Sequence, residues 1–271
     1  FDPSRSKTYV GGSFLPLIES EYNINAIIRD SSKQYYEIAE YLFKKHLIEF
    51  KDSNYFITIS PILDVQLGQD LKDSNTRKLF QNTRGFFIEG DILKNVSFSS
   101  AFFENQARFS NYETNYYNSI GELYPNKLGG YITQNAVIPS FARTKPFKVD
   151  GFDYAMAVGN IQYKPHKSLI ISAGNSAHFI GDGYRSLLLS DNTAPAPFIR
   201  GVFYISKKVQ FHYMRMRLIN PIRKPVSSSA EAYFESKGFS VNYLTYTPSK
   251  KLSLSFFEGI IWAKDNATSS N

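Results

Sequence analysis

The chain has no cysteine among its 271 residues, so a disulfide framework, a thiolate metal site and a cysteine nucleophile are all excluded. No run approaches the roughly 20 consecutive apolar residues that a membrane-spanning helix needs. That excludes a helical membrane protein but not a barrel, whose strands alternate and average out in hydropathy. The four histidines, His46, His166, His178 and His212, lie far apart, and no two have metal-ligand spacing. No Gly-x-Ser-x-Gly elbow accompanies them. Nothing in the chain implies a cofactor. Tryptophan occurs once, at Trp262. The opening Phe1-Asp2-Pro3 lacks the charged and apolar regions of a signal peptide, so a secreted protein of this sequence is expected to be in its mature form.

What is abundant is phenylalanine and tyrosine, 23 and 19 residues, a loading that suits strands and the aromatic girdles of a membrane interface. Four times two alternating segments meet at a very short turn. Ile88–Leu93 turns at Lys94-Asn95 into Val96–Phe102. Tyr154–Tyr163 turns at Lys164-Pro165-His166-Lys167 into Ser168–Gly174. Phe198–Ile205 turns at Ser206-Lys207-Lys208 into Val209–Leu218, and Phe239–Tyr246 turns at Thr247-Pro248-Ser249-Lys250 into Leu252–Trp262. Between the hairpins run longer polar stretches, Glu104–Gly151, Asn175–Pro197 and Ile219–Gly238, read here as loops. Short turns at one end and long loops at the other predict an all-β, antiparallel up-and-down barrel, with Lys94, Lys167, Lys207 and Lys250 on a single rim.

The alternation also predicts the faces. Tyr55, Ile57, Ile59, Pro61, Leu63, Val65 and Leu67 share one side of a strand, with a bulge or break expected at Pro61. Phe86, Ile88, Val96, Phe98, Leu252, Leu254 and Phe256 are expected on the same apolar side, facing lipid. The other side is small and polar. A soluble sandwich or solenoid alternates too, so alternation alone does not choose. Strands of roughly 10 residues, aromatics near strand ends (Tyr163, Tyr204, Tyr246, Trp262) and lysine-bearing turns favour the membrane barrel. Residues 1–54 read as an irregular and helical segment, with a strand-like piece at Asn25–Arg29 and a helix over Ser31–Phe50. Residues 55–271 read as the barrel. The polar tail Lys264–Asn271 after Trp262 leads us to expect that closure needs further strands.

The net charge is +7, but the basic residues are scattered and no nucleic-acid motif appears, so no nucleic-acid partner is expected. Two places attract attention as ligand sites. Asn105, Gln106 and Arg108 follow a strand directly and are expected to face a lumen, where amides and a guanidinium suit sugar hydroxyls. His178, Asp182, Tyr184 and Arg185 belong to a Gly/Asp-rich stretch. Gly181-Asp182-Gly183 offers a seat for an anion or calcium, yet lacks the Lys-Ser/Thr of a P-loop and EF-hand spacing. A self-packed loop with Arg185 paired to Asp182 or Asp191 explains the stretch equally. Glu104, Glu258, Asp64 and Asp91 lie on strands, and any two of them at about 5–9 Å would suit a glycosidase. The sequence selects no pair.

Thr83-Arg84-Gly85 with Glu89-Gly90, Phe103-Glu104-Asn105-Gln106, Lys145-Pro146-Phe147 with Gly151–Ala157, and Phe179–Asp191 together resemble a Bacteroidota outer-membrane family. The chain is similar to the gliding-motility protein RemB and to Wzi-like capsule assembly proteins of that family. The resemblance spans roughly residues 35–262. It implies a non-enzymatic outer-membrane β-barrel that binds or assembles capsular polysaccharide or exopolysaccharide at the cell surface. Its partners would be outer-membrane lipid and surface polysaccharide. The alternative it implies is a subunit of a gliding-motility or protein-secretion complex with other outer-membrane proteins. A porin-like channel is a further reading.

Overall fold

The computed structural model describes residues 14–15, 46–72, 77–93, 95–121, 123–125, 128–129, 131–133, 135–141, 143–181, 186, 188–191, 193–226, 229–249 and 251–263. In chain order the elements are β1 (Phe14–Leu15), β2 (Ile48–Lys51), β3 (Tyr55–Gln69), β4 (Lys78–Ile92), β5 (Val96–Arg108), the helix α1 (Asn111–Ser119), β6 (Leu123–Pro125), β7 (Tyr131–Thr133) and β8 (Arg143–Phe147). There follow β9 (Gly151–His166), β10 (Leu169–Ser176), β11 (Phe179–Ile180), β12 (Ala196–Tyr204), β13 (Val209–Val226), β14 (Ser229–Ser249) and β15 (Leu252–Ala263). The main sheet runs β15-β14-β13-β12-β10-β9-β5-β4-β3-β2, antiparallel throughout. β8 pairs the start of β9 beyond the end of β10. Each strand lies beside its sequence neighbour except across residues 109–150 and 177–195, so the order is up-and-down. Among the described residues the sheet is open, with β15 and β2 at its edges.

All four predicted hairpins are present. Their turns share one end and are stitched to each other through the main chain. Leu93 N donates to Asn54 O (2.6 Å), Lys164 N to Asn95 O (2.8 Å), Tyr204 N to Ser168 O (3.0 Å) and Thr247 N to Lys208 O (2.8 Å). Lys167 and Lys207 sit on this rim, while Lys94 and Lys250 lie outside the described residues. At the two Xaa-Pro turns the register slips by one, between Leu169 and Ile171 opposite Pro165 and between Tyr246 and Ser249 around Pro248. Proline without an N–H is suited to such bulges.

Several expectations are corrected. Pro61 neither bulges nor breaks β3; its register with β4 is unbroken from Tyr55↔Ile92 to Gln69↔Lys78. Among the described residues β2 pairs β3 only as far as Ile59, so no ladder partner stands opposite Pro61 on that side and its missing N–H disturbs none there. The helix expected over Ser31–Phe50 does not reach its proposed end, because Ile48–Lys51 is strand paired to β3; its remainder, and Asn25–Arg29, lie outside the described residues. Ile219–Gly238 is not a loop. β13 and β14 continue through it as a long hairpin, with irregular register between Ile219 and Arg223 and between Lys224 and Val226, flanking Pro221 and Pro225. Glu104–Gly151 contains the end of β5, α1 and three short strands. The Ser110…Glu113 spacing announces α1: the Glu113 carboxylate accepts from the Ser110 N–H (3.2 Å) and hydroxyl (2.6 Å).

The register sorts the side chains into two faces. On the outer face the rows read Ile59, Ile88, Ser100, Gly159 and Pro61, Phe86, Phe102, Ala157. Leu63, Val65 and Leu67 continue it along β3, and Phe211, Leu244 and Phe256 form its far side. On the inner face Thr58, Thr83, Ala101, Val202, Met214, Val241 and Thr245 are buried. Of the aromatics near strand ends, Tyr163, Tyr246 and Trp262 are outward. Tyr204 is inward, packed on Ile170 and Val202, because it shares parity with Val202. The long-loop segments fold over the inner face. Ile180 packs with Ala196, Phe198, Met214, Met216, Phe239, Val241 and Tyr243. A second cluster of Ala107, Ala136, Ile138, Phe152 and Tyr154 takes in Phe109, Tyr117 and Phe141.

Curling toward the inner face needs close backbone approach. A Cβ on Gly174 would lie 2.1 Å from the Gly159 carbonyl oxygen, whereas at Gly68 the nearest atom is 3.8 Å away. Gly174→Val is therefore expected to lower stability by about 1–3 kcal/mol or more. Gly68→Val should stay within ~0.5 kcal/mol. Equilibrium unfolding of the two variants side by side checks this.

Candidate functional site at the long-loop end

The segments Thr83–Gly85, Phe103–Gln106, Lys145–Phe147 and Gly151–Ala155, far apart in sequence, are adjacent in space. They form consecutive rungs of β4, β5, β9 and β8 at the long-loop end: Thr83↔Asn105↔Tyr154 and Arg84↔Glu104↔Ala155, with Thr144↔Tyr154 and Lys145↔Asp153 on the far side. Alternation divides their roles. Asn105 points inward and is buried; its Oδ1 accepts from the Thr83 hydroxyl (2.7 Å) and its Nδ2 donates to Tyr154 O (3.2 Å). Arg84 and Glu104 point outward as a half-exposed pair at 3.4 Å. Gln106 and Arg108 share the parity of Glu104, so they do not face the interior with Asn105. Three residues expected to share one lumen are split between two faces by a strand's period of two.

Arg108 Nη2 donates to Asp150 Oδ2 at 2.6 Å, and Arg77 Nη1 reaches the same oxygen at 3.0 Å. Arg77 also donates to Phe109 O (2.7 Å), Asn111 Oδ1 (2.9 Å), Thr114 Oγ1 (3.3 Å) and Asp150 O (3.3 Å). It thereby fastens the end of β5, the start of α1 and the turn before β9. One carboxylate thus holds two guanidiniums, and Arg108 Nε has no partner among the described residues. Exposed Lys145 and Lys148 lie on the same side of the fold, and α1 presents Tyr112 and Tyr116, 75% and 54% exposed. Tyr117 is turned inward, edge-on to Phe109 and Phe152. Burial raises its phenol above the ordinary value, and the Glu113 charge adds to the shift.

The second stretch singled out in the sequence folds back over the inner face. Phe179–Ile180 pairs antiparallel with Phe14–Leu15. Ile180 N donates to Leu189 O (2.9 Å), the Ser186 hydroxyl donates to Ile180 O, and Leu188 N and Leu189 N donate to Ser186 Oγ at 3.0 and 3.2 Å. Gly181, at φ 141, makes the reversal. His178 is buried edge-on against Phe198, ring centroids 4.3 Å apart, with Nε2 3.5 Å from Ser176 Oγ. Asp182, Tyr184 and Arg185 lie outside the described residues.

Sequence reasoning missed a buried basic pair. Arg200 and His212 face each other on the inner side of β12 and β13, Nη2 to Nδ1 at 3.0 Å. Arginine only donates, so Nδ1 accepts and the ring proton sits on Nε2. The signal was present in Ala196-Pro-Phe-Ile-Arg-Gly-Val-Phe-Tyr204, where Arg200 is the one charge on the side of Phe198 and Val202.

The four strand carboxylates form no facing pair: Asp64 and Glu104 are two strands apart, about 10 Å at ~4.8 Å per strand, but alternation turns Asp64 inward and Glu104 outward. Asp64 pairs Thr83, eight residues along β4 from Asp91, or about 27 Å at ~3.4 Å per residue. Glu104 and Glu258 lie six strands apart, about 29 Å at ~4.8 Å per strand. Each has a local partner: Gln66 for Asp64, Ser97 for Asp91, Arg84 for Glu104 and Asn242 for Glu258. Among the described residues no group of three His, Asp or Glu is placed to hold a metal ion. The chain matches no family model, no curated protein and no solved structure.

Asn105→Ala leaves the buried Thr83 hydroxyl and Tyr154 carbonyl without their amide and is expected to cost about 1–3 kcal/mol. Thr83→Val added to it should cost little more, because the two side chains act as a unit. A double-mutant cycle in denaturant measures the coupling.

Proposed function

We propose that this chain is the wall of an outer-membrane β-barrel whose long-loop end faces the cell exterior and holds acidic surface polysaccharide without catalysis. The observation that carries the reading is the outer face. Leu63, Val65, Leu67, Phe86, Phe102, Ile161, Ile199 and Phe256 are all exposed, Leu67 by 83% and Phe256 by 65%, and among the described residues no second layer packs on them. Exposed apolar surface of this extent is not sustained in water. On β9 the outward positions Tyr163, Ile161, Gly159, Ala157 and Ala155 span roughly 27 Å along the strand. Tilted by ~40°, that is about 21 Å, close to the ~25 Å apolar band of outer-membrane barrels. Exposed Tyr55, Tyr163 and Tyr246 mark its short-turn margin as a girdle.

The polysaccharide assignment rests on the long-loop rim. Arg77 and Arg108 outnumber the carboxylate between them, and the exposed rings of Tyr112 and Tyr116 offer flat surfaces to sugars. No helix among the described residues is long and apolar enough to cross a membrane, so insertion would rest on the strands.

Two experiments test the proposal. Phe98→Arg puts a charge on the outer face, at about 2–4 kcal/mol near the midplane of a bilayer, whereas Ser99→Arg points inward, where Ser99 meets Asn160. Phe98→Arg should impair insertion into lipid vesicles far more than Ser99→Arg; equal tolerance of the two would sink the membrane assignment.

Tyr112→Ala with Tyr116→Ala should leave the melting temperature unchanged and weaken retention of uronic-acid polysaccharide about tenfold, ~1.4 kcal/mol. Unchanged retention, with loss of a co-purifying protein instead, would replace the glycan by a subunit of a surface assembly.

A further inference from the structure

Where the apolar outer face ends, at the long-loop side of β12–β15, lies a groove of about 470 Å³. Its walls include Pro197, Ile199, Arg215, Arg217, Gly238 and Trp262. Register brings these together. Ile199↔Arg215↔Ser240↔Ile260 is one outward row, and Arg217↔Gly238↔Trp262 is the next toward the loops. The Trp262 indole lies flat on Gly238, where a Cβ would stand 2.1 Å from Cε2. The Arg215 guanidinium stacks over that indole, 5.1 Å from the ring centroid. Both arginines are exposed, and among the described residues neither forms an ion pair. Glu258, on the same face, is engaged by Asn242 Nδ2 at 2.9 Å. On the short-turn side, beyond the outward row Gly201↔Tyr213↔Asn242↔Glu258, the face becomes apolar again at Phe203, Phe211 and Leu244.

We infer that this groove binds the phosphorylated head group of an outer-leaflet glycolipid. The charges call for an anion, and two guanidiniums at one rim match the geometry of phosphate oxygens. The apolar surface running away from them calls for acyl chains on the same molecule. A head group fits the volume, and the chains lie along the outer face. Arg215 is held in place by the indole and therefore needs little ordering on binding. The inference rests on the membrane reading above, and it adds a chemically defined lipid partner to a wall that would otherwise meet lipid only through apolar contact.

Trp262 is the only tryptophan of the chain, so intrinsic tryptophan fluorescence reports this groove alone. The full chain in neutral detergent is titrated with a bis-phosphorylated glucosamine lipid, with the same lipid after phosphatase treatment, and with inorganic phosphate. A parallel sample is floated with phosphatidylcholine vesicles. We expect a saturable emission change with the phosphorylated lipid only, and a midpoint moved at least about tenfold, ~1.4 kcal/mol, by Arg215→Gln with Arg217→Gln at unchanged circular dichroism. An equal response to the dephosphorylated lipid overturns the phosphate assignment, and an equal response to inorganic phosphate overturns the lipid. A chain that floats but shows no phosphate-dependent change fails this inference alone; one that does not float fails the membrane reading with it.

Discussion

Everything in this fold depends on register. Because strand side chains alternate, a one-residue slip at any seam would carry Leu63, Phe86 or Phe256 inward and Thr83, His212 or Thr245 outward. Three devices hold the register. The main-chain bonds that tie each short turn to the next align the strand ends. The bulges at Pro165 and Pro248 absorb one residue each without disturbing the alternation beyond them. At the opposite end, Arg77 and the Thr83–Asn105–Tyr154 chain fasten the neighbouring strands through side-chain hydrogen bonds. The two faces can then differ within a single sheet: the outer face exposes Leu63, Phe86 and Phe256 beside the Arg84–Glu104 pair, and the inner face buries Thr83, Met214 and Val241.

The hairpins and the two faces were legible in the sequence because both are local. Turn residues such as Lys164-Pro165 and Ser206-Lys207-Lys208 end apolar alternation abruptly, and period two needs no knowledge of partners. What was not legible depended on a neighbour. Proline at 61 forbids a central strand in general, yet here, among the described residues, β2 ends at Ile48, opposite Ile59. The Ser- and Pro-rich segment beyond Ile219 has poor strand propensity, and its pairing is imposed by the hairpin it continues. The end of the expected helix at Ile48–Phe50 is captured instead by the edge of β3.

The candidate site was legible only in part. The residues that looked functional by composition, Asn105 with Gln106 and Arg108, do lie at one strand end, but alternation gives them different neighbours. Asn105 is consumed by the sheet itself. Asp150, which gathers Arg77 and Arg108, stands in a turn between Val149 and Gly151 that nothing local marks as special, and its partners are 73 and 42 positions away. Such a contact is invisible without the fold. Arg200 and His212 were hidden differently: each looks ordinary alone, and only the pairing of β12 with β13 sets them face to face.

The seam between β5 and β9 has a further consequence, for assembly. Every other contact along the main sheet from β2 to β5 and from β9 to β15 joins strands separated by short turns, by 177–195 or by a hairpin tip, so each half zips by small steps. The seam from Val96↔Tyr163 to Ala107↔Phe152 forms only after residues 109–150 have been looped out, and loop closure costs entropy that rises with length. On loop-closure grounds alone, the seam between β5 and β9 is the costliest of the main sheet to close. Asn105 reaching the Tyr154 carbonyl, and Asp150 reaching back to Arg77 and Arg108, span that junction, so they act as the clasp that keeps the halves from parting once they have met.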